Sequence, residues 1–219
     1  MMLQRFEEMR RMTWPERRTL VIAGIVLVVA LLGAAGGWFW YDAEQREVSA
    51  AYAAAMTRLA AARAPQAPAE GRAAAAAELE QVIARHPSAP AVGEAAYELG
   101  NLKYDARQYA AARSAYQVAL ARGLTGTLKT LSRAGVARTW EAERDYAKAI
   151  EAYQALVNDL KPKDFLYDDT LMDLARAQEL AGNKSQAVET YRRLLKDVPG
   201  TRRAEDVKAR LAALDAPAR

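Results

Sequence analysis

Side chains able to do covalent chemistry are scarce in these 219 residues, and their spacing excludes most of what they could do. There is no cysteine, which rules out disulfides, thiol nucleophiles and thiolate metal sites. The single histidine, His86, stands in Arg85-His86-Pro87 between two helical patterns. With no second imidazole nearby it reads as a turn residue, not a base or a ligand. Ser49, Ser88, Ser114, Ser132 and Ser185 include no Gly-x-Ser-x-Gly elbow, and no glycine-rich phosphate loop occurs. No enzymatic function, cofactor or metal is therefore expected. What remains is recognition chemistry, carried by Tyr97, Asn101 and Tyr104, by Arg138 and Glu141, and by Met172, Arg176 and Glu179. Aromatic, amide and charged groups on one face suit an extended peptide or a partner helix, where rings supply buried area and arginines orient carboxylates.

The elements that must position these groups begin with an apolar run. Thr19 to Tyr41 contains no ionisable group except the terminal phenol. As a helix its 23 residues extend roughly 34 Å, enough to cross a hydrocarbon core of about 30 Å. Arg5, Arg10, Arg11, Arg17 and Arg18 precede it, and Asp42, Glu44, Arg46 and Glu47 follow. The positive-inside rule then predicts a cytoplasmic tail (1–18), a single membrane-spanning helix (19–41) and a translocated C-terminal part. Trp38, Phe39, Trp40 and Tyr41 form an aromatic belt at the outer interface, with Trp14 on the inner side. The alternative is a cleaved signal peptide with Ala34, Ala35 and Gly36 at the scissile site, against which stand the length of the run and its bulky end. Gly33 and Gly37 make a Gly-x-x-x-Gly pair that would let a second helix approach closely, either from another copy, giving a homodimer, or from a different membrane protein.

The tail has five arginines against Glu7, Glu8 and Glu16, and the remaining chain carries 26 basic and 24 acidic residues. The exported part is thus close to neutral and lacks a basic stripe, which argues against nucleic acid as a partner.

Thr13-Trp14-Pro15-Glu16 reads as a capping box that opens a helix. Between Gly37 and Pro65 there is neither proline nor glycine, and Val48, Tyr52, Ala55, Met56 and Leu59 keep a helical period, so a membrane-proximal helix (42–63) is expected to continue from the span. A loop (64–71) follows. Thereafter Ala75, Leu79 and Val82; Ala112, Tyr116 and Ala119; Ala149, Tyr153 and Leu156; and Ala187, Tyr191 and Leu194 recur at positions 0, +4 and +7, with steps of 37, 37 and 38 residues. Two helical patterns per step signal an all-α solenoid of helical hairpins. Leu99-Gly100, Val136-Ala137 and Leu174-Ala175 lie where a first helix would bring its small residue, and Pro87 and Pro199 lie twelve residues after their alanines. The residues resemble the tetratricopeptide repeat, expected over 72–200, with Thr201 to Leu214 as the start of a capping helix and tail (201–219). Counting from the matched positions places the eight recognition residues on the groove face of the first helices. Among tetratricopeptide domains that clamp a chaperone's C-terminal carboxylate, the resemblance carries only Asn101 over, with Tyr97 standing where a lysine is expected.

Taken together, the basic tail, the anchor ending in Gly37-Trp38-Phe39-Trp40-Tyr41, the Ala50-Ala51-Tyr52 helix and the repeats resemble the YfgM family, ancillary subunits of the SecYEG translocon. The resemblance implies a non-catalytic periplasmic scaffold whose partners are Sec translocon subunits or periplasmic chaperones. Pro87-Ser88-Ala89-Pro90 with Leu99-Gly100, and Pro199-Gly200-Thr201, are equally similar to the repeats of envelope-assembly proteins. That alternative implies an envelope-assembly or cell-division coordination factor with a soluble, cleaved form.

Overall fold

A computed structural model describes residues 14–64 and 68–215. Thr13 of the expected capping box, most of the tail and residues 65–67 of the expected loop lie outside the described residues. Among the described residues there are nine α-helices and no strand, and the chain divides into two compact units, Met1–Ser49 and Ala50–Arg219.

The first unit holds most of helix α1 (Trp14–Ala62). Its candidate span has a window of mean hydropathy 2.3, none of it buried. Leu32 is 67% exposed and Phe39 75%. Each such side chain would gain about 1.5–3 kcal/mol on leaving water, so an apolar surrounding suits this helix. A Cβ added at Gly33 or Gly37 would meet nothing within 4 Å. Where the polar residues begin, Arg46 pairs with Asp42 one turn earlier at 2.7 Å.

The second unit contains the end of α1, then α2 (Ala69–Arg85), α3 (Val92–Asp105), α4 (Tyr109–Ala121), α5 (Gly126–Ala142), α6 (Tyr146–Asp159), α7 (Tyr167–Leu180), α8 (Lys184–Asp197) and α9 (Ala204–Asp215). All twelve residues of the four repeated triplets are buried. The apolar face therefore dictates the packing, as the period requires.

The helix ahead of the repeats belongs to them. Ala55, Leu59 and Ala62 at the end of α1 are buried in one cluster with Ala75, Leu79 and Val82 of α2 and Ala95 and Leu99 of α3. The end of α1 thus covers the apolar side of α2. At the other end, Val207 is fully buried, and Leu211 and Leu214 pack on the cluster of α6, α7 and α8. The capping helix begins at Ala204, three residues later than expected, because Thr201 turns the chain and donates its hydroxyl to Asp168 at 2.9 Å.

The connections repeat as the helices do. Arg107 (φ 59°), Arg144 (φ 63°) and Gly182 (φ 83°) occupy the same left-handed position after α3, α5 and α7. The next residue in each case donates its N–H back over five residues, Gln108 to Lys103, Asp145 to Trp140 and Asn183 to Gln178, at 2.8–3.0 Å. This closure satisfies carbonyls that the helix end leaves open.

Candidate functional site

The eight sequence-derived residues lie on the first helices α3, α5 and α7, where most pair within the protein. Tyr97 is half-buried, its ring centroid 6.1 Å from that of Tyr116. Tyr116 donates its hydroxyl to Asn101 Oδ1 at 2.8 Å, and Asn101 donates to Glu98 at 3.2 Å. Glu98 in turn is paired with Arg63 just beyond α1. Met172, the eighth, is 3% exposed within the C-terminal core cluster and offers no surface to a ligand.

A ladder of arginine–glutamate pairs links successive repeats. Glu141 on α5 receives Arg176 of α7 through Nε at 2.8 Å and Nη2 at 3.0 Å, and also the Tyr153 hydroxyl at 2.9 Å. Arg176 additionally pairs with Asp173 at 2.8 Å. One repeat on, Glu179 receives Tyr191 at 3.1 Å and Arg210 of α9 at 3.1 Å. The tyrosine of each of the last three triplets thus ends on a polar group of its own first helix, Asn101, Glu141 or Glu179. Bidentate guanidinium–carboxylate geometry makes the Arg176–Glu141 contact the strongest of these.

Electrostatics follow from burial. Withdrawal from water pushes the Tyr116, Tyr153 and Tyr104 phenols up, so all remain neutral donors. Burial also pushes the Asp173 carboxyl above its ordinary value, with Arg176 opposing. The hydrogen bond to Glu141 is the largest influence raising Arg176 and keeping it charged.

Three features escaped sequence reasoning. Trp140 lies between two cations, Arg113 at 3.5 Å and Lys148 at 4.3 Å from its ring, and Arg113 also pairs with Glu143 at 2.6 Å. Glycines at 100 and 135 flank Tyr116, where an added Cβ would come within 2.5 Å and 2.7 Å of its ring atoms. A cleft of about 360 Å³ is lined by Arg63, Arg72, Asn101, Tyr104, Tyr116 and Arg138, with Ala62, Leu102 and Asp105 completing it. The signal for the cleft was present in the aligned positions of neighbouring repeats. Among the described residues, no group of three or more His, Asp or Glu could hold a metal ion.

Fold and face together define a helical-hairpin solenoid of the protein-interaction class, with one apolar helix ahead of it. Residues 11–216 match the family described as "Tetratricopeptide repeat-like domain", and the chain belongs to that family. Nearly identical TPR-like repeats from Podosopora anserina share its fold, at TM-score 0.58 and 18% identity, covering 78% of this chain and 85% of that one. A companion structure of the same repeats gives the same score and identity over 78% and 86%. MamA protein is similar at TM-score 0.51 and 20% identity over 61% of this chain and 67% of that one. No curated protein matches. The fold is typical of non-catalytic scaffolds.

Proposed function

We propose that this protein is a membrane-anchored scaffold without catalytic activity, which holds other proteins on the face formed by α3, α5 and α7. The observation that carries this reading is the fusion in one chain of an exposed apolar helix to a tetratricopeptide domain. The arginines before the span and the acidic residues after it favour a periplasmic repeat domain. Beside that stands the resemblance to the YfgM family, which supports work at the Sec translocon, passing emerging chains or chaperones onward. Tyr97, Asn101, Tyr104, Arg138, Glu141, Arg176 and Glu179 form the proposed groove, and Gly33 and Gly37 the proposed contact of the anchor with a neighbouring span.

The test is photocrosslinking in cells from a benzoylphenylalanine at position 97, comparing the native anchor with an unrelated span. Translocon subunits captured only with the native anchor are the expected result. Absence of any captured envelope protein with either anchor would remove the scaffold reading.

A further inference from the structure

The hairpin of α5 and α6 departs from its neighbours at two positions where they bury their side chains. Eight residues before Gly100, Ala137 and Ala175 stand Val92, Lys129 and Tyr167, and four residues before them stand Ala96, Arg133 and Leu171. Val92, Ala96, Tyr167 and Leu171 are all buried, whereas Lys129 is exposed and Arg133 half-buried. Two interior positions of the repeat are thus occupied by cations in α5. Beside them lies a hollow of about 610 Å³, whose walls include Lys129, Arg133, Leu156, Asp159, Leu160 and Phe165. That volume falls among pockets that take ligands, about 300–1,000 Å³. Lys129 and Arg138 are nine residues apart on α5, about two and a half turns, so they point to opposite sides of the helix. None of the proposed groove residues lines the hollow.

The next hairpin shows what fits such a place. Tyr167 is 1% exposed within the C-terminal core cluster, and its hydroxyl donates to Asp197 of α8 at 2.6 Å. Asp159 of α6 is the aligned carboxylate, ten residues after Ala149 as Asp197 is ten after Ala187. With no tyrosine on α5 to reach it, Arg133 takes Asp159 at 2.6 Å. The hollow therefore offers an incoming ring what α8 offers Tyr167, with Leu156 and Leu160 as its apolar walls. At the rim Phe165 is 63% exposed, and a second ring packed on it would be favoured. The Asp164 carboxylate is engaged by the turn itself, accepting the Lys161 N–H at 2.8 Å. Lys129, Lys161 and Lys163 are exposed and make no ion pair among the described residues. Unpaired cations in and beside an apolar hollow favour an occupant that carries negative charge next to its ring.

We infer that this hollow receives an aromatic side chain of a partner polypeptide, seated as Tyr167 is seated one hairpin later, with acidic residues beside it meeting Lys129, Lys161 and Lys163. The site lies outside the groove and stands or falls separately from it.

The full chain in mild detergent is titrated by calorimetry with three unlabelled glycine–serine octapeptides, acetylated and amidated. One carries glutamate–tyrosine–glutamate at its centre, one has alanine in place of the tyrosine, and one has glutamines in place of the glutamates. The first should give saturable heat, and the other two should bind about tenfold more weakly or not at all. Lys129→Tyr supplies the ring from within and should weaken binding of the first peptide about tenfold or more. Phe165→Ala removes an exposed ring and should weaken it about threefold or more. Lys184→Gln removes the same charge from the exposed start of α8 and should bind as wild type. Thermal melts establish that each variant is folded. The inference would be overturned by no saturable heat with the first peptide, by equal binding of either altered peptide, or by unchanged binding to a folded Lys129→Tyr or Phe165→Ala protein. A loss as large in Lys184→Gln would reduce the effect to net charge and overturn it as well. Crosslinking from position 97 reports on the groove and leaves this site untouched.

Discussion

At the scale of single residues, small side chains matter here as much as large ones. Tyr116 lies between Gly100 and Gly135, and a methyl group at either would overlap its ring. Gly100→Ala and Gly135→Ala should each destabilise the domain by about 1–3 kcal/mol, the usual consequence of overpacking. Unchanged denaturant midpoints would contradict that account. The left-handed turns work in the opposite direction. Arg107 and Arg144 hold a conformation that Gly182 adopts without steric penalty. Arg107→Gly and Arg144→Gly should therefore stabilise by roughly 0.5–1 kcal/mol each, read as a raised melting temperature. Asp173 supplies a pH dependence. Its folded-state carboxyl is raised above the ordinary 3.8 by burial, so its ionised form disfavours the fold. That penalty is present at neutral pH and diminishes as pH falls toward 3.8. Wild type should thus gain stability relative to Asp173→Asn as the pH is lowered from neutral toward 3.8, a trend measured by parallel melts.

At the scale of elements, the period carried the fold and left the pairing hidden. Four triplets with a constant register predicted the second helices, and every one of those residues is buried. The first helices followed from small residues twelve positions earlier. The residues proposed for the groove were chosen because they share that register. Their partners were not, since Arg176 reaches back 35 residues and Arg210 reaches back 31, distances set by tertiary packing. Met172 shares the register of Tyr97 yet is closed into the C-terminal cluster, which also contains Val207 of the cap. Register gives a residue's face but not what covers it. The terminal helix is the clearest element to test. Val207→Asp would place a charge in a fully buried site and should destabilise by about 3 kcal/mol, with dye binding to the uncovered face of α7 and α8. A variant that melts like wild type would mean that α9 covers nothing of consequence.

At the scale of the molecule, the repeat domain has two core clusters, one built from the end of α1 with α2, α3 and Ala115 of α4, the other from α6, α7 and α8 with Ala137 of α5 and Val207 of α9. Solenoid stability is largely a sum over neighbours, so damage in one cluster should stay local. Leu79→Ala should accelerate amide exchange in α2 and α3 with little change in α7 and α8; uniform acceleration would instead indicate a single cooperative unit. The place of α1 has a further consequence. Its residues Ala55, Leu59 and Ala62 are core of the first repeat while its earlier turns are the exposed apolar helix. Deleting α1 altogether would therefore uncover Leu79 and Val82, so a repeat domain begun at α2 should melt lower than one that keeps residues 50–62, its first hairpin having lost half of its own interior.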